Sequence, residues 1–432
     1  MDYTQATELL FNSLPVFQLS GGGAYKPGIE RILALDEKLG NPHSRYQTIH
    51  VAGTNGKGSV SHTLASVLME SGLRVGLYTS PHLKDFRERM SVNGAVISEQ
   101  EVVEFVENNI DYAKALGASF FELTASMAFE FFARNDVDVA VIEVGLGGRL
   151  DATNIISPIL SIITNIGIDH TQFLGSTLEE IATEKAGIIK PKVPVVIGQG
   201  GDEIDHVFEN KAERYNAPII FAEDVFEIEE QLALEDSQSI VLRRLSGSVP
   251  CRKYKLELDL MGEYQAHNIR TVVTAIETLN QYCRFDISTD DIEQGVANAV
   301  ANTSLKGRWQ RLAKIPLTIC DTGHNTHGIK EIVAQIEKQN FDKLYFVIGM
   351  VSDKDISSVL EILPTYPYYI FTQADNTRSL PADELMSMAA KYGLKGECVK
   401  DVSQAYALAR ALARYNDMIF IGGSNFVVAQ VL

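Results

Sequence analysis

The amino-acid sequence predicts an α/β fold, in which a mostly parallel sheet with helices on both faces is followed by a smaller α/β domain. Short, mostly apolar segments, such as 137–144 and 193–197, alternate with amphipathic segments in the first part of the chain. Continuous apolar runs are typical of strands that helices cover on both faces. The alternation begins again after residue 306, with apolar segments at 317–320 and 344–348. A length of 432 residues also favours two domains over one.

The individual elements follow from hydrophobic periodicity. Apolar residues at helical spacing predict helices, and short apolar runs between turn residues predict strands. In the first domain the predicted helices are 3–13, 29–39, 120–133, 178–186 and 268–279, and the predicted strands are 47–52, 74–77, 137–144, 159–164 and 193–197. The acidic stretch 201–260 holds two more predicted strands, 239–245 and 253–260, which we expect to be antiparallel and to lie at one edge of this domain.

The second domain repeats this pattern on a smaller scale. Its predicted strands are 317–320, 344–348, 368–371 and 418–421, and its predicted helices are 328–338, 382–391 and 404–415. We place the domain boundary at the linker 302–306, so that the first domain covers 1–301 and the second covers 307–432. The expected architecture is a doubly wound, mostly parallel sheet domain plus a smaller Rossmann-like α/β C-terminal domain.

Composition excludes several classes of partner. The formal net charge of −18 argues against nucleic acid and against an anionic membrane surface. No apolar run approaches the ~20 residues of a membrane-spanning helix, and the first residues are too polar for a signal peptide. The four cysteines, Cys251, Cys283, Cys320 and Cys398, are too widely spaced for a zinc or redox motif and indicate reduced thiols. We therefore expect a cytoplasmic protein.

One segment has the layout of a phosphate-binding loop. Glycines surround Lys57 between the predicted strand 47–52 and a helix that begins near Ser59. Glycines let backbone N–H groups point at a phosphate, and the helix N-terminus and the lysine add positive charge. The segment departs from the common P-loop pattern, because the first glycine falls on Val51 and Gly58 separates lysine from serine. The alternative is a glycine turn that binds nothing, but the flanking strand and helix favour a P-loop-containing domain.

Polar residues gather where the predicted strands end. Glu143 lies near the end of an apolar segment of the first domain, and Ser80, Asp151 and His170 each come after one. The carboxyl ends of parallel strands are where such sheets bind ligands. Ser80, Glu143 and His170 could together hold a hard cation, although histidine is an unusual magnesium ligand. The alternative is that these three are independent caps or turn residues, and spacing alone does not choose between the two.

Several other polar residues have an ordinary structural interpretation beside a functional one. Lys185 lies on a predicted helix and, from its sequence context, is a solvated lysine. Arg308 neighbours the single tryptophan, Trp309, where it either reaches phosphates or lays its stem on the indole. His324 is either a cap at a helix start or a substrate contact, and residues 353–355 indicate a solvated turn and the start of a helix.

Together these motifs resemble the folylpolyglutamate synthase and dihydrofolate synthase family, which is related to the Mur peptide ligases. The stretches that carry the resemblance, in family order, are Val51-Ala52-Gly53-Thr54-Asn55-Gly56-Lys57-Gly58-Ser59, Tyr78-Thr79-Ser80-Pro81-His82-Leu83, 143–154, Asp169-His170-Thr171, Glu184-Lys185-Ala186-Gly187, Gly307-Arg308-Trp309-Gln310 and Asp321-Thr322-Gly323-His324-Asn325. The resemblance covers the chain from about residue 11 onward. In this family the departures of the phosphate loop from the common pattern are normal.

The resemblance implies an ATP-dependent amide ligase that uses magnesium, with two sites expected. ATP would phosphorylate a carboxylate to an acyl phosphate, and the α-amine of L-glutamate would then displace phosphate. The implied substrates are dihydropteroate and the γ-carboxylate of reduced folate glutamates, and we expect a monomer. Phosphorylation gives the carboxylate a good leaving group, and both steps build negative charge that magnesium and Lys57 can stabilise.

Carried over by position, the resemblance implies roles for individual residues. The phosphates of ATP would be held by Gly53, Thr54, Asn55, Gly56, Lys57, Gly58 and Ser59, with further ATP contacts from Asn268, Arg308 and Asp321. The magnesium ligands would be Ser80, Glu143, His170 and Lys185, the last as a carbamate that turns a cation into a carboxylate-like ligand. His324 and Ser424 match the region that receives glutamate. The expected catalytic residues are Lys57, Asp151, His170, Lys185 and His324.

The implied pterin site is built from aromatic and polar residues. Its members would be Phe17, Pro81, His82, Phe120, Phe121 and Asp151. Aromatic rings suit a flat pterin because they can stack on it. The alternative for Phe120 and Phe121 is helix core, and we expect at least one of them to be only that.

Three alternatives remain open. A bifunctional enzyme, which we favour, would add the first glutamate to dihydropteroate as well as later ones, whereas a monofunctional folylpolyglutamate synthase would add only later ones. A Mur-type ligase acting on a UDP-sugar peptide is disfavoured by the folate-type segment 80–83 and by the lack of a UDP-binding domain before the loop. A nucleotide-binding regulator without ligase activity would have no need for Glu143, Lys185, Asp321 or His324.

Overall fold

The computed structural model describes residues 1–16, 27–245, 252–352 and 354–432. The chain divides into two units. Unit 1 consists of Met1–Gly167, Thr171–Asp259 and Gln265–Leu305, and unit 2 consists of Ile168–His170, Leu260–Tyr264 and Lys306–Leu432. Two short segments that precede residue 301 therefore belong to unit 2.

Unit 1 is built on an eight-stranded sheet. Its strands are β1 (Gln47–Ala52), β2 (Val75–Tyr78), β3 (Met90–Val92), β4 (Ala95–Val96), β5 (Val139–Glu143), β6 (Leu160–Ile163), β7 (Val195–Ile197) and β8 (Ile219–Phe221). Their order is β4-β3-β2-β5-β1-β6-β7-β8, with parallel pairing from β2 to β8. The antiparallel strands β3 and β4 were not predicted, because segments this short carry little periodicity. The carboxyl ends of β2, β5, β1 and β6 therefore lie side by side.

Helices cover this sheet on both faces. They are α1 (Tyr3–Ser13), α2 (Glu30–Lys38), α3 (Lys57–Glu70), α4 (Glu99–Leu116), α5 (Phe120–Arg134), α6 (Thr171–Leu174), α7 (Leu178–Lys185), α8 (Asp205–Tyr215), α9 (Ala222–Val225), α10 (Gln265–Cys283), α11 (Thr289–Ala297) and α12 (Ala299–Thr303), with short 3₁₀ helices at Pro42–Ser44, Phe86–Arg89, Ala152–Ile155 and Ala186–Ile188. In β5, Val139 and Val141 pack in one core, and Ala140 and Ile142 pack in another. A strand buried on both faces explains the continuous apolar run, so the predicted doubly wound sheet is confirmed.

The acidic stretch forms a second sheet in unit 1. It contains β9 (Phe226–Ala233), β10 (Gln238–Arg244) and β11 (Lys253–Leu258), in the order β11-β10-β9 and antiparallel throughout. The two strands predicted here exist, but they pair with β9 in a sheet of their own and do not extend the large sheet. Alternate residues of β11, namely Tyr254, Leu256 and Leu258, pack in the same core as α3 and α10.

Unit 2 is a smaller six-stranded α/β sheet. Its strands are β12 (Gln310–Ala313), β13 (Leu317–Cys320), β14 (Leu344–Ile348), β15 (Tyr368–Phe371), β16 (Gly396–Cys398) and β17 (Met418–Gly422), and its helices are α13 (Thr326–Glu337), α14 (Ile356–Ile362), α15 (Ala382–Ala390), α16 (Val402–Leu412) and α17 (Asn425–Ala429). The order is β12-β13-β17-β14-β15-β16, and β12 alone is antiparallel. Across the described ranges of both units, no helix is long and apolar enough to cross a membrane.

Candidate active site

The phosphate loop follows β1 near the middle of the large sheet. Gly53 has φ +150° and Gly56 has φ +80°, values that residues with a side chain rarely adopt. A Cβ at Gly53 would lie 1.9 Å from Thr164 Oγ1, and one at Gly56 would lie 2.3 Å from Asn268 Oδ1. Both positions require glycine, because the end of β6 and helix α10 lie directly against the loop backbone.

The loop divides into two halves with different hydrogen bonds. The N–H groups of Thr54 and Asn55 donate to the backbone oxygen and to the side-chain Oδ1 of Asn165, at 3.0 and 2.8 Å. Helix α3 begins at Lys57, and N–H groups in the first turn of a helix have no acceptor within the helix. An anion would therefore be bound by the N-terminus of α3, with its dipole, and not by the amides of Thr54 and Asn55.

Two lysine ammonium groups share one carbonyl oxygen beside this loop. Lys57 Nζ donates to the backbone oxygens of Gly53 and Thr54, each at 3.0 Å. Lys185 Nζ donates to the same Gly53 oxygen at 2.9 Å, and Lys185 is only 4% exposed. The interpretation of Lys185 as a solvated lysine, based on its sequence context, is therefore wrong. A neutral oxygen does not cancel the repulsion between two ammonium groups, and burial adds a desolvation cost.

Ser80 and Glu143 meet at the ends of two neighbouring strands. β2 and β5 pair in parallel, and Ser80 N–H donates to Glu143 Oε2 at 3.0 Å. Glu143 is 3% exposed although it carries a carboxylate. The third predicted ligand, His170, belongs to the segment Ile168–His170 of unit 2 and has φ +52°. The structure thus brings two of the predicted magnesium ligands into direct contact within unit 1.

The donor set fits a magnesium ion bound together with a nucleotide. Among the residues that the structure describes, no group of three or more His, Cys, Asp or Glu side chains could hold a metal ion. Magnesium commonly keeps several waters and binds one or two carboxylates plus substrate phosphates. Glu143 and Ser80, on a strand pair beside a phosphate loop, supply a carboxylate and a hydroxyl of this kind. The protein would therefore complete the coordination of such an ion with the phosphates of its substrate.

Helix α10 supports the second half of the loop. Asn268 Nδ2 donates to Gln265 Oε1 at 2.7 Å, and Gln265 Nε2 donates to Ser59 Oγ at 3.1 Å. Gln265 is fully buried and was not predicted as a site residue. Its position three residues before Asn268, on the same helix face, is the signal that could have indicated it.

Asp151 organises the loop that follows β5. Its carboxylate accepts hydrogen bonds from Leu146 N at 2.9 Å, from Thr153 N at 2.9 Å and from Thr153 Oγ1 at 2.5 Å. Burial raises the pKa of Asp151, although these bonds oppose the shift. Thr153 Oγ1 also contacts His50 Nε2 at 2.9 Å, and burial lowers the pKa of His50 to about 3. Asp151 thus has a local structural role in addition to any contact with substrate.

The two adjacent phenylalanines of α5 differ in their surroundings. Phe120 is 3% exposed and stacks on Phe11, with ring centroids 4.8 Å apart. It is core, in line with the structural alternative, and does not offer an open surface for a pterin. Phe121 is half-buried and lies against Gly145, where a Cβ would be 2.4 Å from its ring. Pro81 is exposed, and Phe17 lies outside the described residues.

His82 is held by an arginine that was not predicted. Arg89 is 3% exposed, and its Nε donates to His82 Nδ1 at 2.8 Å. Burial lowers the pKa of His82 to about 3, and Arg89 opposes protonation further. A neutral His82 whose Nδ1 accepts a hydrogen bond carries its proton on Nε2. Arg89 lies nine residues after Ser80, at the end of the 3₁₀ helix Phe86–Arg89, and no sequence pattern there could have identified it.

In unit 2, Asp321 fixes the loop that follows β13. Its Oδ2 accepts from Tyr264 Oη and from Trp309 N, both at 2.6 Å, and its Oδ1 accepts from Gly323 N at 2.7 Å. Burial raises the pKa of Asp321, whereas these bonds and the charge of Arg308 oppose the shift. The carboxylate predicted to contact ATP is therefore held by three donors of its own unit.

Arg308, His324 and Ser424 are each held by bonds within unit 2. The Arg308 guanidinium donates to Thr322 Oγ1, and His324 Nδ1 lies 3.0 Å from the Thr322 carbonyl oxygen, so it carries the proton of that bond. Ser424 caps α17, because its Oγ accepts from Phe426 N at 3.1 Å. No bond here tests the predicted ATP and glutamate contacts, which stay predictions.

A buried ion pair in unit 2 was not predicted. Asp169 Oδ1 pairs with Lys354 Nζ, Asp169 Oδ2 accepts from Asn325 Nδ2 at 3.2 Å, and His324 Nε2 lies 3.8 Å from the same carboxylate. The Lys354 side chain is 11% exposed. The prediction of a solvated turn at 353–355 is therefore wrong for Lys354, while Asp353 lies outside the described residues. The predicted helix start is confirmed, because the Asp355 side chain caps α14.

Comparison with family models defines the class of protein. Residues 51–276 match the Mur ligase middle domain, and residues 307–425 match the Mur ligase, glutamate ligase domain. The first range contains the phosphate loop, Ser80, Glu143 and Lys185, and the second contains Asp321 and His324. The chain therefore has the domains of a Mur-type ligase.

Sequence similarity to individual proteins identifies the family within this class. The dihydrofolate synthase/folylpolyglutamate synthase of Bacillus subtilis is 32% identical over 424 residues, which cover 94% of each chain. A probable bifunctional folylpolyglutamate synthase/dihydropteroate synthase of Haloferax volcanii is 33% identical over 449 residues, and the present chain spans 50% of that longer protein. The chain belongs to the dihydrofolate synthase/folylpolyglutamate synthase family.

Solved structures agree with this assignment. The structure of E. coli FolC in complex with DHPP and ADP is 28% identical, has a TM-score of 0.85, and the match covers 100% of this chain and 97% of that one. A bifunctional folylpolyglutamate synthase/dihydrofolate synthase with Mn, AMPPNP and L-glutamate bound is also 28% identical, with a TM-score of 0.82 and the same coverage. The predicted two-domain α/β fold is thus confirmed by the comparison.

Proposed function

We propose that this protein is an ATP-dependent ligase that joins L-glutamate through an amide bond to the carboxylate of dihydropteroate and to the γ-carboxylate of reduced folate glutamates. The observation that carries the proposal lies in unit 1. There the phosphate loop, the Ser80–Glu143 pair and Lys185 converge at the carboxyl ends of neighbouring strands, in a chain that matches a dihydrofolate synthase/folylpolyglutamate synthase over 94% of its length.

The first step is phosphoryl transfer. A carboxylate oxygen of the pterin substrate attacks the γ-phosphorus of ATP, the bond to the β,γ-bridging oxygen breaks, and ADP leaves. The N-terminus of α3 and Lys57 hold the phosphates and stabilise the negative charge that builds on the transferred group. Asn268, through Gln265, fixes the Ser59 hydroxyl at the same helix end.

A divalent cation supplies charge neutralisation at the phosphates when it is bound. Ser80, Glu143, His170 and Lys185 are the residues we propose to hold it, at two sites. Lys185 would serve as a carbamate, since an ammonium group repels a cation and a carbamate attracts one. Removal of this positive charge would also end the repulsion with Lys57 at the Gly53 oxygen.

The second step forms the amide. The glutamate α-amine attacks the acyl carbon, the carbon–oxygen bond to phosphate breaks, and the amine proton and inorganic phosphate are released. We propose that residues 307–432 receive glutamate through His324 and Ser424, and that Arg308 and Asp321 contact ATP. We further propose that 1–301 form the ATP-binding domain, with 302–306 as the linker.

The proposed pterin site uses Phe121, His82, Pro81 and Asp151. Phe121 is the half-buried aromatic ring beside the Gly145 backbone, and it suits stacking on a flat pterin better than the core residue Phe120. His82, with its proton on Nε2, would donate a hydrogen bond to substrate. Asp151 would act through the loop that its carboxylate organises.

Release of phosphate tests the ligase reaction. Purified protein with ATP and magnesium should release phosphate only when a pteroate or folate substrate and L-glutamate are both present. ATP hydrolysis that is independent of both substrates would reject the ligase and would favour a nucleotide-binding regulator. Turnover with a UDP-sugar peptide in their place would indicate a Mur-type substrate.

Bifunctionality needs a separate substrate panel. We propose that both dihydropteroate and tetrahydrofolate are glutamylated, as the name of the Bacillus subtilis relative implies for that protein. Product formation with tetrahydrofolate but not with dihydropteroate would leave only folylpolyglutamate synthase activity. We also propose a cytoplasmic monomer without nucleic-acid or membrane partners, supported by the net charge of −18.

A further inference from the structure

Asn165, two residues after the end of β6, holds the first half of the phosphate loop. Its backbone oxygen accepts from Thr54 N at 3.0 Å, and its side-chain Oδ1 accepts from Asn55 N at 2.8 Å. Thr164 adds a third bond, because its Oγ1 donates to the Asn55 carbonyl oxygen at 2.6 Å. Asn165 is 9% exposed, so water competes little for the groups that form these hydrogen bonds.

The orientation of the Asn165 amide follows from these bonds. A backbone N–H needs an oxygen acceptor, so Oδ1 faces Asn55 and Nδ2 faces the other side. There Nδ2 donates to Gln199 Oε1 at 3.2 Å. Gln199 is anchored after β7 by its own N–H, which donates to the Thr164 carbonyl oxygen at 2.9 Å. Side chains that follow β6 and β7 thus form a row that leads to the loop after β1.

We infer that Asn165 is a positioning residue for the phosphate loop, and that Gln199 fixes its amide. By holding Thr54 and Asn55, Asn165 sets where Lys57 and the N-terminus of α3 meet a nucleotide phosphate. An apolar side chain of similar size would leave the Asn55 N–H without this acceptor. An aspartate would keep the acceptor, but it would bring a negative charge towards the phosphates. This inference rests on the proposed function, because it assigns nucleotide binding to the loop.

Calorimetric titration with ADP tests the inference without turnover. Asn165→Leu should raise the dissociation constant for ADP roughly tenfold or more, because the partly buried Asn55 N–H loses this acceptor and the loop is held less firmly. Asn165→Asp should also weaken ADP binding, with a loss that shrinks at high salt, since salt screens the new charge. Ser161→Ala is the matched control, on the strand β6 that precedes Asn165. Ser161 is buried and donates to the Ile188 carbonyl oxygen at 2.8 Å, so its removal should leave ADP affinity unchanged.

A pair of variants at Gln199 tests the row of side chains. Gln199→Leu removes the acceptor for Asn165 Nδ2 and should weaken ADP binding a few-fold. Gln199→Glu keeps an oxygen there and, at high salt, should bind ADP more tightly than the leucine variant. Equal affinities for ADP in both variants and the wild type would contradict a role for Gln199.

Binding of dihydropteroate distinguishes positioning from a general structural role. Weaker ADP binding in Asn165→Leu, with the dihydropteroate dissociation constant changed less than about twofold, supports the inference. Unchanged ADP affinity, or equal losses for both ligands, would overturn it. If the leucine variant does not fold, Asn165→Ala is judged by the same two affinities. A wild-type protein that binds no ADP would instead reject the proposed function, and the inference would fall with it.

Discussion

The two units differ in the groups that accept hydrogen bonds from their lysine ammonium groups. In unit 1, Lys57 and Lys185 both donate to the Gly53 carbonyl oxygen, and Lys57 also donates to that of Thr54. In unit 2, the buried carboxylate of Asp169 pairs with the Lys354 ammonium group. A carbonyl oxygen does not cancel a charge, whereas a carboxylate does. The two units thus hold lysine ammonium groups in two ways, through a carbonyl oxygen of the phosphate loop in unit 1 and through a carboxylate in unit 2.

The largest expected effect is a loss of turnover when Lys57, the first residue of α3, is replaced. Lys57→Ala should lower kcat by about a thousandfold, because it removes a positive charge at the transferred phosphate. Folding should be retained, since Lys57 is partly exposed. The rate of ADP formation with both substrates present measures this effect. A kcat within tenfold of the wild type would remove Lys57 from the proposed chemistry.

Lys185 should have the next largest effect. Lys185→Ala should lower kcat about a hundredfold, and short carboxylic acids such as formate should restore part of the activity by replacing the carbamate. Lys192→Ala is the matched control, because Lys192 is exposed and lies nearby in sequence. Loss of activity without any rescue would leave Lys185 as a structural lysine and would argue against the carbamate.

The ion pair of unit 2 should affect stability more than chemistry. Asp169→Asn and Lys354→Met should each lower the free energy of unfolding by about 3 kcal/mol, because each removes one member of an ion pair that is largely shielded from water. The double variant should lose less than the sum of the two single losses. Urea unfolding of all four proteins measures the coupling. Strictly additive losses would show that the two side chains do not stabilise each other.

The same pair predicts a pH dependence of stability. Burial would raise the pKa of Asp169, but the charges of His170, Lys354 and His324 outweigh it and hold the pKa well below its usual value. Because its pKa is lower in the folded state, the ionised carboxylate stabilises the protein above the ordinary pKa of about 4. This stabilisation is lost as the pH falls below that value. The difference in unfolding free energy between wild type and Asp169→Asn should therefore be full near pH 5 and shrink below about pH 4. A difference that grows on acidification would contradict the pairing.

The smallest expected effect distinguishes the two phenylalanines of α5. Phe121→Leu should raise the KM for dihydropteroate several-fold, because a stacked aromatic ring contributes about 1 kcal/mol beyond its buried area. Phe120→Leu is the control, since it should lower thermal stability and leave this KM near the wild-type value. The reverse result would mean that the core residue, and not the half-buried one, contacts the pterin.

Much of unit 1 could be predicted, because its signals are local in sequence. The bounds of β1 and α1 agree with the prediction, and the glycines, Ser80 and Glu143 lie at strand ends as expected. Residues that act from a distance could not be found. Asn165 accepts a hydrogen bond from Asn55, which lies 110 positions earlier in the chain, and no sequence pattern predicts such a contact.

Lys354 shows why a local pattern can mislead. Charged neighbours in a short turn predict solvent exposure, and that prediction fails when another segment supplies a buried partner. The partner here is Asp169, 185 residues earlier, in a segment that joins unit 2 although its neighbours belong to unit 1. Tertiary partners of this kind follow from the fold and not from periodicity.

Transfer of oxygen from the substrate carboxylate to phosphate tests the proposed acyl phosphate most directly. Dihydropteroate labelled with ¹⁸O in its carboxylate would be incubated with the protein, ATP, magnesium and L-glutamate, and the released phosphate analysed by mass spectrometry. Each turnover should place one ¹⁸O atom from the carboxylate in inorganic phosphate. Glutamylated product accompanied by unlabelled phosphate would contradict an acyl phosphate and, with it, the roles proposed for the phosphate loop.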